Sequence, residues 1–383
     1  MVKCRKCFAI AVAGFIILFA GQARIHAQES QKKSNPAIPL LLLTETPQPN
    51  IAFVTSTSYD GNLGGLAGAD QKCQVLAEAA GLPANVYKAW LSTSAVDAKG
   101  RLGSARGWVR KDGKPFADTV ADIVSGKIFY PLRIDENGVD TGAYGTVWTG
   151  TDGDGTVYHY PPDPIWTCSD WSSSSGTQVA EIGKSSAVAE LFTASASISC
   201  STPQRIYCFG TQNNAPVAVT PTVGRIAFVT TQTWIASGGL TGADNLCATE
   251  ADTAGLSGTY KALLATNGAS AASRFNTSGP PWVRPDGVAI APTAGELFSA
   301  TLLDSAVNQS ADGSQYFGNV GAWTGAENPS TAGAWATTCE NWTDSSEPNG
   351  YGGKAGFTDE WGFFMASSSR CSADWMHLYC LQE

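Results

Sequence analysis

Apolar residues recur at helical spacing in two places along this chain. Ala69, Cys73, Leu76, Ala77 and Ala80 follow a Gly64-Gly65 pair and stop at Gly81. The pattern predicts a helix over Leu66–Ala80 with a glycine stop, and it returns from Leu240 to Ala254, before Gly255. Each helix is preceded by a β-rich run that predicts an opening strand, Ile51-Ala-Phe-Val-Thr55 and Ile226-Ala-Phe-Val-Thr230. Elsewhere the β-prone stretches are short and broken by Gly, Ser, Asp and Pro; Lys127-Ile-Phe-Tyr130, Thr146-Val-Trp148 and Arg205-Ile-Tyr-Cys208 are examples. With 41 Gly, 19 Pro and one clear helix per copy, the expected class is α+β with much irregular loop.

The duplication extends through the whole pattern. Gly64-Gly-Leu-Ala-Gly-Ala-Asp70 returns as Gly238-Gly-Leu-Thr-Gly-Ala-Asp244, and Tyr87-Lys-Ala89 as Tyr260-Lys-Ala262. Trp108-Val-Arg110, Trp148-Thr-Gly150 and Cys168-Ser-Asp-Trp171 return as Trp282-Val-Arg284, Trp323-Thr-Gly325 and Cys339-Glu-Asn-Trp342. The period is too long for a solenoid, so each copy reads as a whole domain with its own core. The expected organisation is a signal peptide (1–27), a spacer (28–50), repeat 1 (51–210), an extended linker (211–225) and repeat 2 (226–383).

Cysteines mark the same duplication. Cys73, Cys168, Cys200 and Cys208 are separated by 95, 32 and 8 residues, and Cys247, Cys339, Cys371 and Cys380 by 92, 32 and 9. Two even-numbered sets imply two disulfide frameworks formed in an oxidising compartment. Spacing alone leaves three connectivities open in each set. A helix cysteine near the start and a strand cysteine at the end would tie the termini together, as Cys73–Cys208 and Cys247–Cys380. That leaves Cys168–Cys200 and Cys339–Cys371 as inner bridges. Lys3, Arg5 and Lys6 before the apolar run Phe8–Ala20 read as an export leader, with Ala23 or Ala27 as its last residue. The run is too short to favour a transmembrane span. The expected mature protein is secreted or cell-surface, outer-membrane associated.

The formal net charge is −9, with 12 basic and 16 acidic residues in repeat 1 against 5 and 15 in repeat 2. Nucleic acid is an unsuitable partner for such a chain. One basic stretch stands out, Lys99, Arg101, Arg106, Arg110, Lys111 and Lys114. Arg110 has a counterpart in Arg284 and reads as structural. Lys99, Arg101, Arg106, Lys111 and Lys114 are the candidate contacts for an acidic partner or a sulfated glycan. Of 12 tryptophans, six are matched between repeats and are expected in the core, whereas Trp90, Trp166, Trp234, Trp335, Trp361 and Trp375 are unmatched. Exposed tryptophans are common at binding hot spots.

The helix segment Gly-Gly-Leu-Ala-Gly-Ala-Asp-x-x-Cys, the following Tyr87-Lys-Ala-Trp-Leu91, Cys168-Ser-Asp-Trp171 and Arg205-Ile-Tyr-Cys208 together resemble the endostatin module of collagens XV and XVIII. That module has a C-type-lectin-like fold. The full pattern, present twice, is similar to the leptospiral endostatin-like outer-membrane protein family. The resemblance implies two tandem C-type-lectin-like domains with nested disulfides. It also implies an adhesin-like role, with host extracellular-matrix or serum proteins as partners: laminin, fibronectin, fibrinogen, plasminogen and complement regulators. Members are often lipoproteins, but no cysteine follows the leader before Cys73, and the chain ends Leu381-Gln-Glu383 rather than on a plasminogen-binding lysine.

Glu347-Pro348-Asn349 matches the tripeptide with which sugar-binding C-type lectins hold calcium, so Glu347 and Asn349 are candidate calcium ligands. The tripeptide follows Cys339 instead of preceding it, and no Trp-Asn-Asp lies before Cys380; a plain Pro-Asn-Gly turn is the simpler reading. Asp152-Gly-Asp154-Gly likewise reads as a turn. Only His159 and His377 follow the leader, in unmatched places, so no zinc set is expected. No cofactor is expected, and no acid–base or nucleophile–base pairing points to an enzyme. The leading expectation is a non-enzymatic binding protein; a calcium-dependent lectin or a structural envelope protein are the alternatives.

Overall fold

The first and last strands of each repeat lie side by side, which brings the two ends of the repeat together. The computed structural model describes residues 48–161 and 165–383, so the expected leader and most of the spacer lie outside the described residues. Repeat 1 contains β1 (Asn50–Val54), β2 (Tyr87–Ala89), β3 (Trp108–Val109), β4 (Pro115–Ala117), β5 (Thr146–Trp148), β6 (Val179–Lys184), β7 (Ala196–Ser199) and β8 (Arg205–Gly210). Repeat 2 contains β9 (Arg225–Val229), β10 (Tyr260–Ala262), β11 (Trp282–Val283), β12 (Gly321–Trp323), β13 (Gly350–Lys354), β14 (Ser367–Ser369) and β15 (His377–Gln382). The sheet order is β4-β3-β1-β8-β5-β6-β7 in repeat 1 and β11-β9-β15-β12-β13-β14 in repeat 2, with β2 and β10 also pairing β8 and β15. Apart from β4 the two topologies coincide. The class is mixed α+β, with two sheets and four disulfides.

The long helices span Gly65–Ala79 and Gly239–Thr253, one residue ahead of the expected limits. Each starts behind a glycine in the left-handed region, Gly64 at φ 81° and Gly238 at φ 79°. Each stops at another such glycine, Gly81 or Gly255, whose amide bonds back to Glu78 or Asp252. The buried face is made of small residues, Ala69, Cys73 and Ala77 in repeat 1, so the helix sits close to the sheet. Close approach is what allows Cys73 to join Cys208 on β8, and Cys247 to join Cys380 on β15, with Cα atoms 5.5 Å apart in both. The inner bridges are Cys168–Cys200 and Cys339–Cys371. In the chain-entropy account an outer bridge contributes ~5 kcal/mol and an inner one ~4 kcal/mol.

Each inner bridge starts from an unusual piece of backbone. Cys168, Ser169, Asp170 and Trp171 all have positive φ, from 52° to 66°, as do Cys339, Glu340, Asn341 and Trp342, from 49° to 69°. Four consecutive non-glycine residues therefore form one left-handed helical turn in each repeat, a conformation that costs L-residues ~1–2 kcal/mol apiece. Three fixed points hold it. The disulfide anchors its first residue, Thr167 caps it by accepting from the Asp170 amide, and the buried Trp171 indole donates to the Ser92 carbonyl at 2.7 Å. Trp342 does the same to Ala265 at 2.8 Å.

The repeats pack against each other, and residues 46–383 form one compact unit. Ser305 donates to the Phe129 carbonyl at 2.6 Å, Arg284 to the Ile128 carbonyl at 3.0 Å, and Lys114 pairs with Asp304 at 2.9 Å. A second patch joins Ser186–Val188 to Gly356–Asp359; there the Val188 amide donates to the Gly356 carbonyl at 2.8 Å. The expected strand Lys127–Tyr130 is absent for this reason: the carbonyls of Ile128 and Phe129 are spent on repeat 2 rather than on a ladder. The linker has no regular structure, but it is strapped down at both ends. Asn50 donates to Asn213 at 2.7 Å, the Val217 amide to Asp118 at 2.8 Å, and the Thr222 amide to Gly287 at 3.0 Å.

The left-handed turn gives a direct test. Ser169 is exposed within it, so Ser169→Gly is expected to be more stable than Ser169→Val by ~1–2 kcal/mol in urea unfolding, the opposite of their order in a strand. Equal stabilities would show that the turn is right-handed or unconstrained in solution.

Candidate functional site

The basic stretch of repeat 1 is largely neutralised by the chain itself. The Arg101 guanidinium is 6% exposed and pairs with Asp70 at 2.6 Å, while also donating to the Ala89 carbonyl. Arg274 makes the same pair with Asp244 at 2.6 Å. Arg101 therefore has a counterpart, which the constant offset from Tyr87/Tyr260 to Arg101/Arg274 could have revealed. Arg106 pairs with Asp118, whose carboxyl is held below the usual range against the opposing effect of burial; hydrogen bonds from Arg106 and the Val217 amide are the cause. Lys114 reaches across to Asp304, and Lys99 lies 4.0 Å from Asp154. Of the five candidates only the exposed Lys111 has no acidic partner among the described residues. The stretch is brought together along the chain, not into one free cationic face.

Of the candidate calcium residues, Glu347 converges with Glu340 and Asp344, each offering a carboxylate oxygen within 4.8 Å of the others, and Asn349 is exposed. Glu340 sits in the left-handed turn, and Asp344 is held below its ordinary range by hydrogen bonds from Ser346. The Asp152–Gly155 segment is the expected turn, closed by the Gly155 amide on the Asp152 carbonyl at 2.9 Å.

The six matched tryptophans are buried. Of the unmatched six, Trp90 and Trp234 are also buried, Trp335, Trp361 and Trp375 are half-exposed, and Trp166 is intermediate. Trp166 has the most developed surroundings. Its ring is stacked against Tyr158 at 5.4 Å and Tyr160 at 5.6 Å, with interplanar angles of 28° and 29°. It divides two clefts in repeat 1. One, of about 760 Å³, lies over the left-handed turn and is lined by Ser94, His159, Asp170 and Gln178. The other, of about 440 Å³, is lined by Asp152, Tyr158, Glu181, Glu190, Ser197 and, from repeat 2, Asn319.

Glu181 lies at the base of the smaller cleft. On β6, Ala180 and Ile182 point into the core, so strand alternation turns Glu181 to the opposite face. Its main chain is fixed on both sides: the amide donates to the Trp166 carbonyl at 3.2 Å, and the carbonyl accepts from Gly150 at 3.0 Å. The residue is 3% exposed. Burial, reinforced by the nearby Asp152 charge, pushes the carboxyl up to about 8, against the Ser195 and Ala196 amides, which favour its charged form. Glu190 lies at the rim, where it accepts from the Asn319 amide at 3.0 Å. Repeat 2 has no equivalent. The register of β12 with β13 puts Tyr351 where Glu181 stands, since Gly352 faces Trp323 as Ile182 faces Trp148. Glu181 was not singled out from the sequence. The available signal was a carboxylate inside an alternating apolar run.

A comparison of the chain with models of known protein families finds no match, and a search of curated protein sequences finds none either.

Two outcomes are expected. Arg101→Met removes the buried partner of Asp70 but leaves it the Lys88 ammonium at 2.9 Å and the Ala89 amide, so it should cost ~1–3 kcal/mol in urea unfolding, while Lys111→Ala should stay within ~0.5 kcal/mol. For Glu181 the folded-state value, about 8, is raised above the ordinary 4.5. The stabilisation by its proton is therefore complete below about 4.5 and is lost progressively as pH rises from there to about 8. Wild type should lose up to ~1.4 kcal/mol per pH unit relative to Glu181→Gln across that window. Parallel stability curves for the two proteins from acid to pH 9 would refute the raised value.

Proposed function

We propose that this chain is an exported, non-enzymatic binding protein of the adhesin type, built on two endostatin-like, C-type-lectin-like domains, with partners among host extracellular-matrix or serum proteins. The disulfides suit an oxidising compartment, and no helix among the described residues is long and apolar enough to cross a membrane. In keeping with the domain type, the terminal strands of each repeat are adjacent and the helix is bridged to the last of them. The single observation that carries the binding reading is the Tyr158–Trp166–Tyr160 stack, set between two open clefts on a frame clamped by disulfides. Preorganised aromatic surface of this kind loses little entropy on binding. Ion pairing of Lys99, Arg101, Arg106 and Lys114 makes the basic stretch the weaker candidate surface.

A calcium-dependent lectin is the second reading, favoured by the convergence of Glu340, Asp344 and Glu347. Calcium that raises the melting temperature of wild type and not of Glu347→Gln would support it; no response to calcium would remove it.

The leading reading is tested by measuring the full oxidised chain against immobilised laminin, fibronectin, fibrinogen and complement regulators. At least one should bind, Trp166→Ala should weaken that binding by ~10-fold or more, and Lys99→Ala with Lys111→Ala should change it little. Failure of every member of the panel to bind would overturn the proposal.

A further inference from the structure

Resting on the binding-protein reading above, we propose that the cleft based on Glu181 receives a primary alkylammonium group, as presented by a lysine side chain of a protein partner. Three carboxylates, Asp152, Glu181 and Glu190, line the cleft. None of them is ion-paired with a basic side chain among the described residues. Glu181 is the decisive one. A buried carboxylate is costly to ionise without a countercharge, and among the described residues the groups that favour its charged form are the main-chain amides of Ser195 and Ala196. The cleft thus holds a latent negative charge that an incoming cation would stabilise.

The rest of the lining suits the same guest. The Trp166 face beside the carboxylates can take the methylene stem of a lysine and contribute cation–π attraction to its head. A cleft of about 440 Å³ has room for that side chain with some of its water. Ser197 and Asn319 add polar edges. Lys354 is the basic residue whose charge reaches Glu190; it is half-buried, and burial holds its own ammonium below the usual range. In repeat 2 the place of Glu181 is taken by Tyr351, so repeat 2 carries no second copy of the site.

The charged groups facing Glu181 are Asp152, Glu190 and the Tyr158 phenol, which burial and the charges of Glu181 and Asp152 hold above its ordinary range. With Glu181 near 8, raising pH adds negative charge to the cleft while a lysine ammonium stays protonated. Affinity for an ammonium should therefore rise about tenfold between about pH 7 and pH 9.

The test is calorimetric titration of the full oxidised chain with N-acetyl-lysine methylamide, with N-acetyl-norleucine methylamide as the neutral isostere. The blocked lysine should bind, with the stated rise in affinity. E181Q should lose that rise and most of the affinity, and D152N should weaken binding. E181Q imitates the protonated acid that prevails near pH 6, so its fold can be checked there by circular dichroism. D152N alters an exposed side chain and serves as the second variant. Equal binding of the norleucine derivative, or unchanged binding to E181Q, would overturn the ammonium site. Tighter binding of cadaverine than of blocked lysine would overturn its assignment to a protein side chain. A chain that binds blocked lysine but no matrix or serum protein would instead count against the adhesin reading.

Discussion

The fold depends on the pairing of each repeat's first strand with its last, locked by a disulfide from the helix. β1 meets β8 with Phe53 opposite Cys208, and β9 meets β15 with Phe228 opposite Cys380. The strands carrying Trp148 and Trp323 then run parallel to the closing strands. Everything between these strands is a long excursion whose ends are already fixed, so its closure entropy is removed from the folding problem. This explains how a domain can carry so much irregular backbone. The excursion needs local anchors rather than continuous ladders, and it finds them in buried indoles, an inner disulfide and a few ion pairs.

The left-handed turns show how far such anchoring can go. A backbone conformation that is costly at every residue persists in both repeats, with the same cysteine at its start and the same tryptophan at its end. Between them Ser169 and Glu340 differ, while Asp170 and Asn341 keep one contact, accepting from the Ser94 amide at 2.8 Å and the Asn267 amide at 2.7 Å. The shape comes from the fixed ends and this shared anchor. Elsewhere the repeats solve one problem by different means. Glu136 caps the loop after β1 by accepting from the Ser56 amide at 2.9 Å, while Glu250, from the long helix, accepts from the Thr231 amide at 2.8 Å. Arg205 bonds the Thr55 carbonyl, and His377, whose pKa burial lowers, bonds the Thr230 carbonyl at 2.7 Å. Frame is shared and detail has drifted.

That distinction decides what could be read from the chain beforehand. The helices were legible because a period of 3.6 bounded by glycines is a local signal, and the opening strands because Ile-Ala-Phe-Val repeats unchanged. Lys127–Tyr130 looks like a strand because Ile, Phe and Tyr favour one, but its carbonyls are claimed by Arg284 and Ser305 of the other repeat. No local pattern carries that information. The ion pairs of the basic stretch were hidden for a related reason: proximity in sequence says nothing about Asp70 and Asp118, which engage Arg101 and Arg106. Glu181 was hidden by its burial, since a single acid in a strand ordinarily reads as the solvent face.

The cleft itself depends on both repeats. Its base comes from β6, its aromatic wall from the segment around Trp166, and one edge from Asn319, held by the Glu190 carboxylate. Gly318 next to it packs so closely on Glu190 that a Cβ there would come within 2.8 Å of Cγ. Positions around this contact are therefore constrained by the docking of the two repeats, not by the fold of either. Ala189, one residue before Glu190, adopts a positive φ of 54°, and the Val188 amide beside it is bonded to Gly356 of repeat 2. A non-glycine residue in that conformation persists where its surroundings over-determine it. The rim carboxylate is thus placed by strained backbone that the second repeat holds from outside. Duplication has given the chain more than two copies of one surface: the second copy completes a site that the first could not complete alone.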